Sequence, residues 1–356
     1  MKNKLIYIVT IVFTSLIILT GRPINTLAED GGATGFLYEI QFPENQQKEA
    51  GYFDLKMNPG QSQKVPILLK NPSDKEITVE VSLNGAKTNS NGVLEYGPIN
   101  IQKDASLKYD FVDVVRAPKK VVLSPKSEQN LELEVTMPQV SFDGLIVGGI
   151  QLKKADEEEQ ETKSGANVIN KYAYVIAMVL QETDINLLPE LELNKVKAGQ
   201  SNAQNVIYAD ISNIEANFLD NLSMEVQIMS EKSDEVLYEK KKSSMRMAPN
   251  SNMQFPVSMQ GEKMVAGKYR ASILATSGDR KWEWDETFEI TAEEADKFNR
   301  EDIGLVQEKG INWLLIVGVA VGLFIVIVTI FFIIHTIHKK REAAKKAELR
   351  KMKNRK

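Results

Sequence analysis

The residues able to carry chemistry are few in this chain, and their spacing suits binding better than bond making. There is no cysteine, which excludes disulfides, thiolate metal sites and cysteine nucleophiles. The two histidines, His335 and His338, sit in the last 22 residues, so the body of the protein has no histidine triad and no histidine zinc site. No GxSxG, phosphate-loop or dinucleotide glycine fingerprint occurs. Asp143-Gly144 with Gly148-Gly149 reads as turn and bulge glycines. Acids are plentiful, yet no spacing singles out a carboxylate pair for glycoside hydrolysis. The run Asp156-Glu157-Glu158-Glu159-Gln160-Glu161 lacks the spaced ligands and the glycine of a calcium loop. The expectation is a non-catalytic protein with no cofactor and no metal.

Two groups could instead touch a ligand. One is a segment rich in amides and hydroxyls, Ala86-Lys87-Thr88-Asn89-Ser90-Asn91-Gly92, followed by Tyr96-Gly97-Pro98. Asn89 and Asn91 can pair with sugar hydroxyls and peptide groups, and the Tyr96 ring can pack on a sugar face. The other is Trp282 and Trp284, which flank Glu283 and on a strand share one face. Those indoles either belong to a core or stack on a sugar or a partner.

The elements that must position these residues alternate with period two. Val65, Ile67 and Leu69 alternate, Asn71-Pro72-Ser73-Asp74 turns the chain, and Ile77, Val79, Val81 and Leu83 alternate again, which reads as a hairpin with one buried face. The same grammar returns about 140 residues later: Ile207, Ala209 and Ile211 lead to Asn213, then Leu222, Met224, Val226 and Ile228. Ser124-Pro125-Lys126-Ser127 before Leu131, Leu133 and Val135 matches Ala248-Pro249-Asn250-Ser251 before Phe255, Val257 and Met259. Such strands predict an all-β chain of two tandem immunoglobulin-like sandwiches plus one C-terminal transmembrane helix. Asn71 to Pro125 spans 54 positions against 36 from Asn213 to Pro249. The first copy thus carries an excursion that is either a binding segment or a longer hairpin without a role.

The ends set an expected topology. Lys2 and Lys4, an apolar run from Leu5 to Leu19 and the small residues of Thr26-Leu27-Ala28 predict a signal peptide over 1–28. Residues 312–334 are 23 positions without a charge, long enough to span a bilayer. The 22 residues after them hold 10 Lys/Arg against 2 acids, which predicts a cytoplasmic tail over 335–356. Between the ends stand 31 basic and 46 acidic residues, so nucleic acid is not an expected partner. The expected division is a first sandwich over 29–155, an acidic linker over 156–165, a second sandwich over 166–292 and a polar stalk over 293–311.

Several short segments carry a further signal when taken together. In the first domain they are Gln41-Phe42-Pro43-Glu44-Asn45-Gln46, Gly51-Tyr52-Phe53-Asp54-Leu55, Pro59-Gly60, Asn71-Pro72-Ser73, Thr88-Asn89 with Asn91-Gly92, and Asp143-Gly144 with Gly148-Gly149-Ile150. In the second they are Tyr172-Ala173-Tyr174-Val175, Ala248-Pro249-Asn250-Ser251 and Ala266-Gly267-Lys268-Tyr269. Together these segments resemble the WxL-interacting proteins of Gram-positive bacteria, and the resemblance implies a cell-surface adaptor or adhesin. It implies a peptidoglycan-binding first domain, a host-binding second domain, WxL-domain surface proteins and host extracellular proteins as partners, and a membrane anchor. The alternative function is an accessory or sensory subunit of a membrane-associated surface complex.

Overall fold

The computed structural model describes residues 34–48, 50–155, 171–305 and 313–353. The expected signal peptide, the acidic linker and the distal end of the tail lie outside these residues, as do 306–312. The chain divides into two compact units, one ending at Asp302 and one beginning at Ile303.

The first unit holds two β-sandwiches. In the first, β1 (Leu37–Ile40), β3 (Ser62–Lys70), β9 (Glu128–Thr136) and β7 (Val115–Arg116) form one sheet in the order β1-β3-β9-β7. The facing sheet runs β2-β11-β10-β4-β8, from β2 (Phe53–Lys56), β11 (Ala173–Gln181), β10 (Leu145–Lys154), β4 (Ile77–Gly85) and β8 (Lys120–Leu123). The period-two sets Val65/Ile67/Leu69, Ile77/Val79/Val81 and Leu131/Leu133/Val135 all point into one core between these sheets.

The second sandwich packs the sheet β12-β13-β16 on the sheet β15-β14-β17-β18. These strands are β12 (Leu191–Ser201), β13 (Gln204–Asn213), β14 (Leu219–Ser230), β15 (Val236–Met247), β16 (Ser251–Ser258), β17 (Gly267–Ser277) and β18 (Arg280–Ile290). Ile207, Ala209 and Ile211 from one side meet Leu222, Met224, Val226 and Ile228 from the other in its core.

The repeat holds down to single hydrogen bonds, but its turn is not a hairpin. β3 and β4 lie in opposite sheets, as do β13 and β14, so the chain arches over the end of each sandwich. Two strands of identical alternation that face one core from opposite sides give the same pattern as a hairpin. A buried asparagine ties each arch. Asn71 Nδ2 donates to the carbonyls of Lys75 (2.8 Å), Leu123 (3.1 Å) and Ser124 (2.9 Å). Asn213 Nδ2 donates to those of Asn217 (2.7 Å) and Ala248 (3.0 Å). Lys126 and Asn250, both left-handed (φ 50° and 46°), occupy the equivalent turn before β9 and β16.

β11 departs from the expected division. It follows the acidic run in sequence, yet it pairs antiparallel with β10 and parallel with β2. It also sends Ile176, Met178 and Leu180 into the first core. The acidic run is therefore spanned by the β10–β11 connection, and the chain passes to the second sandwich only after Gln181. Its alternation marks β11 as a half-buried strand without saying which sheet it joins.

The expected stalk also has a role within the unit. Helix α2 (Ala292–Glu301) opens on a capping box between Thr291 and Glu294. It docks on the second sandwich: Asn299 exchanges hydrogen bonds with Met264 (2.7 and 2.8 Å), and Asp302 Oδ2 accepts from the buried Asn205 N–H (2.7 Å). The second unit is one helix, α3 (Trp313–Lys353), whose stretch Ile316–Glu342 is long and apolar enough to cross a membrane.

Candidate functional site

The excursion begins where β4 ends. β5 (Lys87–Thr88) and β6 (Leu94–Glu95) form a two-stranded hairpin, and a loop then leads to the single-turn helix α1 (Phe111–Val114). Three glycines seat it. A Cβ on Gly85, Gly148 or Gly149 would overlap Asp110, the Phe111 ring and Tyr96 respectively. Gly148 and Gly149 lie in an unbroken register between β4 and β11, so they are close-approach glycines and not bulge glycines. Gly144, with φ +96°, is a true turn position. Asp110, itself buried, caps α1 and pairs with Lys103 at 2.5 Å. That carboxylate raises the Lys103 ammonium above its ordinary range.

The hairpin leans on the second sandwich. Thr88, only 1% exposed, accepts the Ala248 N–H through Oγ1 (2.9 Å) and lies 2.6 Å from Ser251 Oγ. Gly92 (φ +67°) is buried under Met245, and its carbonyl accepts the Arg246 N–H at 2.9 Å. Further along, Asp104 accepts from the Ser212 hydroxyl, and Ser106 Oγ accepts from Asn250 Nδ2 at 3.2 Å. A separate contact joins Leu145 N to Ala216 O at 2.7 Å. The excursion is thus a clamp between the two sandwiches.

Where the clamp crosses the outer face of β12-β13-β16 it leaves a cleft of about 520 Å³. Asn89, Asn100 and Gln102 line it from the excursion, and Lys197, Tyr208, Asn252 and Gln254 line it from the sheet. Tyr208 lies across Gly199, where a Cβ would stand 2.8 Å from ring carbons, and donates its hydroxyl to Gln200 O at 2.6 Å. Burial pushes that phenol above its usual range, so it stays neutral in the physiological range. Among the described residues, no group of three or more metal-ligating side chains occurs.

The expected binding residues are spread over separate places. Asn89 is largely used within its own turn: its Oδ1 accepts from the N–H groups of Asn91 (2.9 Å) and Val93 (3.2 Å), and its Nδ2 donates to Glu95 (2.5 Å). Asn91 is exposed and accepts from Lys242 Nζ at 3.4 Å. Tyr96 is half-buried over Gly149, and burial raises its phenol. Trp282 is buried, donates to Glu190 Oε1 at 2.8 Å and carries the Arg280 guanidinium over its ring at 4.8 Å. Trp284 is half-buried against the second core. The tryptophans thus share no surface with the cleft. Asp104, Lys197 and Tyr208 escaped the sequence reading, and Thr88, which falls in the expected ligand segment, bonds to the second sandwich instead. Outward positions of a strand and polar residues of a loop carry no signal that they face one another.

Two family models match successive parts of the chain. Residues 36–154 match the WxL Interacting Protein peptidoglycan binding domain, and residues 163–300 match the WxL Interacting Protein host binding domain. The chain belongs to the WxL-interacting proteins. In this member β11 falls within the stretch matched by the host-binding model while completing the sheet of the preceding sandwich. The two domain types support a cell-surface, adhesin-like role. No curated protein matches the sequence.

Similar solved structures include the CsuC–CsuE chaperone–tip adhesion subunit complex of Acinetobacter baumannii. It is 12% identical over 72% of this chain and 98% of that one, with a TM-score of 0.30. A class 5 fimbriae chaperone, CfaA, is 12% identical over 71% and 98%, with a TM-score of 0.28. A PapD-like domain of human CEP192 is 12% identical over 46% and 94%, with a TM-score of 0.25. The sandwich architecture of this WxL-interacting protein rests on its own strand pairing.

Proposed function

We propose that this protein is a non-catalytic surface adaptor. It is held in the cell membrane by α3, binds peptidoglycan through its first domain and engages WxL-domain proteins and host extracellular proteins with its ectodomain. The observation that carries the reading is the succession of a peptidoglycan-binding-type domain, a host-binding-type domain and a helix fit to span a membrane in one chain. The basic residues that follow the apolar stretch, Lys339, Lys340, Arg341, Lys345 and Lys346, support a cytoplasmic C-terminus and an outside ectodomain. The clamp supports a single adaptor body, because a load taken up by one sandwich passes to the other through fixed hydrogen bonds and not through a loose linker.

Sedimentation of the purified full chain with insoluble peptidoglycan tests the central claim. The protein should pellet with the wall, and binding should change only modestly between low and moderate salt, because an acidic ectodomain relies mostly on neutral hydrogen bonds and stacking and on few ion pairs. Protein that stays in the supernatant at every salt concentration would end the wall-binding reading.

A further inference from the structure

We propose that the cleft between the clamp and the outer face of β12-β13-β16 is a saccharide site that takes an N-acetylated sugar bearing one carboxylate. The proposal rests on the wall-binding reading and gives it a place shared by both domains. The cleft has the volume of a small-molecule site. Its lining is dominated by carboxamides. Asn100 and Gln102 line it from the clamp and Asn252 and Gln254 from β16, and their carboxamides suit hydroxyl and acetamido groups, with Gln254 Nε2 also held by the buried Asp210 Oδ2 at 3.3 Å. The Asn252 carboxamide oxygen is buried and has no hydrogen-bond partner among the described residues. Closed off as it stands, that oxygen meets a donor from outside the chain once the Asn252 side chain turns toward the cleft, where an acetamido N–H would pair it. The Tyr208 ring supplies a flat apolar surface of the sort that packs on a sugar face.

The charge in the cleft selects the ligand further. Lys197 stands beside Tyr208 across the β12–β13 ladder and forms no ion pair among the described residues. It is the one cation in the lining. A single lysine draws a single carboxylate through a charge-assisted hydrogen bond, whereas a polyphosphate chain would call for several cations. The amides then fix the sugar that carries the acid, which in the wall is a muramic acid freed of its stem peptide, because an amide-linked lactyl group has no charge for Lys197 to pair. Any ligand seated there touches both sandwiches, so the first domain binds fully only when clamped to the second.

Titration calorimetry on the full chain in detergent micelles tests this. The probes are a wall-derived disaccharide containing N-acetylmuramic acid, the neutral N-acetylglucosamine dimer and a glycerol-phosphate oligomer. The acidic disaccharide should bind about tenfold more tightly than the neutral dimer, in line with one charge-assisted hydrogen bond. The oligomer should bind more weakly than either. Lys197→Gln should remove that tenfold preference, and Tyr208→Ala should weaken both sugars while Tyr208→Phe leaves them within about twofold. Lys263→Gln, at an exposed turn of the second sandwich, is the matched charge control and should change nothing. Unchanged sugar binding by Lys197→Gln and Tyr208→Ala at wild-type melting temperature would overturn the site. Preferred binding of the phosphate oligomer would overturn the ligand class. Wild-type protein that pellets with peptidoglycan but binds neither sugar would reject the cleft alone, whereas failure to pellet would reject the wall-binding reading beneath it.

Discussion

Replacing Thr88 with valine tests whether the excursion holds the two sandwiches together. Threonine and valine have nearly the same shape, so the exchange removes one hydroxyl and little else. In the folded protein that hydroxyl accepts the Ala248 N–H at 2.9 Å and meets Ser251 Oγ at 2.6 Å, in a place where Thr88 is 1% exposed. The Ala248 N–H would lose its acceptor while still covered, at a cost of roughly 1–3 kcal/mol. Ser251 would suffer less, because its hydroxyl also donates to Ala248 O at 2.8 Å. A fair central value is about 2 kcal/mol, or close to a thirtyfold weakening of the coupling between domains. Calorimetry on the ectodomain, residues 29–308, should show the main transition lowered by about 3–4 °C if the sandwiches melt together. Alternatively it should split into two transitions. Thr88→Ser, which keeps the oxygen, should recover most of the loss, and Thr136→Val, at an exposed pair with Ser62, should change little. A single transition within about 1 °C of wild type for Thr88→Val would refute the clamp, since the smallest penalty for an orphaned buried N–H exceeds that shift.

Other outcomes follow from the same structure. Gly92→Ala places a Cβ at φ +67° and 2.5 Å from the Met245 Cβ, so it should destabilise the ectodomain by about 1–3 kcal/mol in denaturant titration. Residues 29–155 alone lack β11 and the buried Ile176, Met178 and Leu180, so they should show no cooperative unfolding by circular dichroism, whereas residues 29–185 should. Burial and the Glu262 hydrogen bond hold the Tyr238 phenol above its ordinary value near 10. The folded state therefore keeps a proton that the unfolded chain gives up, and stability should fall as pH rises beyond about 10; Tyr238→Phe should flatten that fall. Protease added to wall-stripped cells should remove the ectodomain and spare a C-terminal tag, and loss of the tag with membranes intact would reverse the proposed orientation.

Much of this architecture was legible because period-two burial needs only one residue type on one face. Val65, Ile67 and Leu69, or Leu222, Met224 and Val226, declare an inward face wherever their strand ends up. The repeat was legible for a related reason: Asn71 and Asn213 must each satisfy carbonyls at the end of a sandwich, and few other side chains can do so. Sheet membership was not legible. Pairing partners are chosen by the three-dimensional neighbours of a strand, so β3 followed by β4 looked like a hairpin and β11 looked like the start of the second domain. The excursion could be located from 54 positions standing against 36, but its partner could not. An amide or hydroxyl ready to bond a sugar is equally ready to bond a neighbouring domain. Thr88 does the second, while Asn100 and Gln102 line the cleft.

That division of labour ties the two proposals together physically. The clamp is made by a few buried bonds at Thr88, Gly92 and Asp104, and the cleft opens beside them with walls from both domains. A ligand that touches both walls binds only the clamped arrangement, so it must stabilise that arrangement by an amount set by its concentration over its dissociation constant. Conversely, every clamped molecule lost to Thr88→Val is a molecule without a complete site, and apparent affinity should fall by the same fraction. The coupling is reciprocal: saturating sugar should raise the melting temperature of Thr88→Val toward that of the unliganded wild type. A ligand held by the first domain alone would instead stabilise only that sandwich, and in a protein whose transitions have separated it would shift one of them and leave the other where it was.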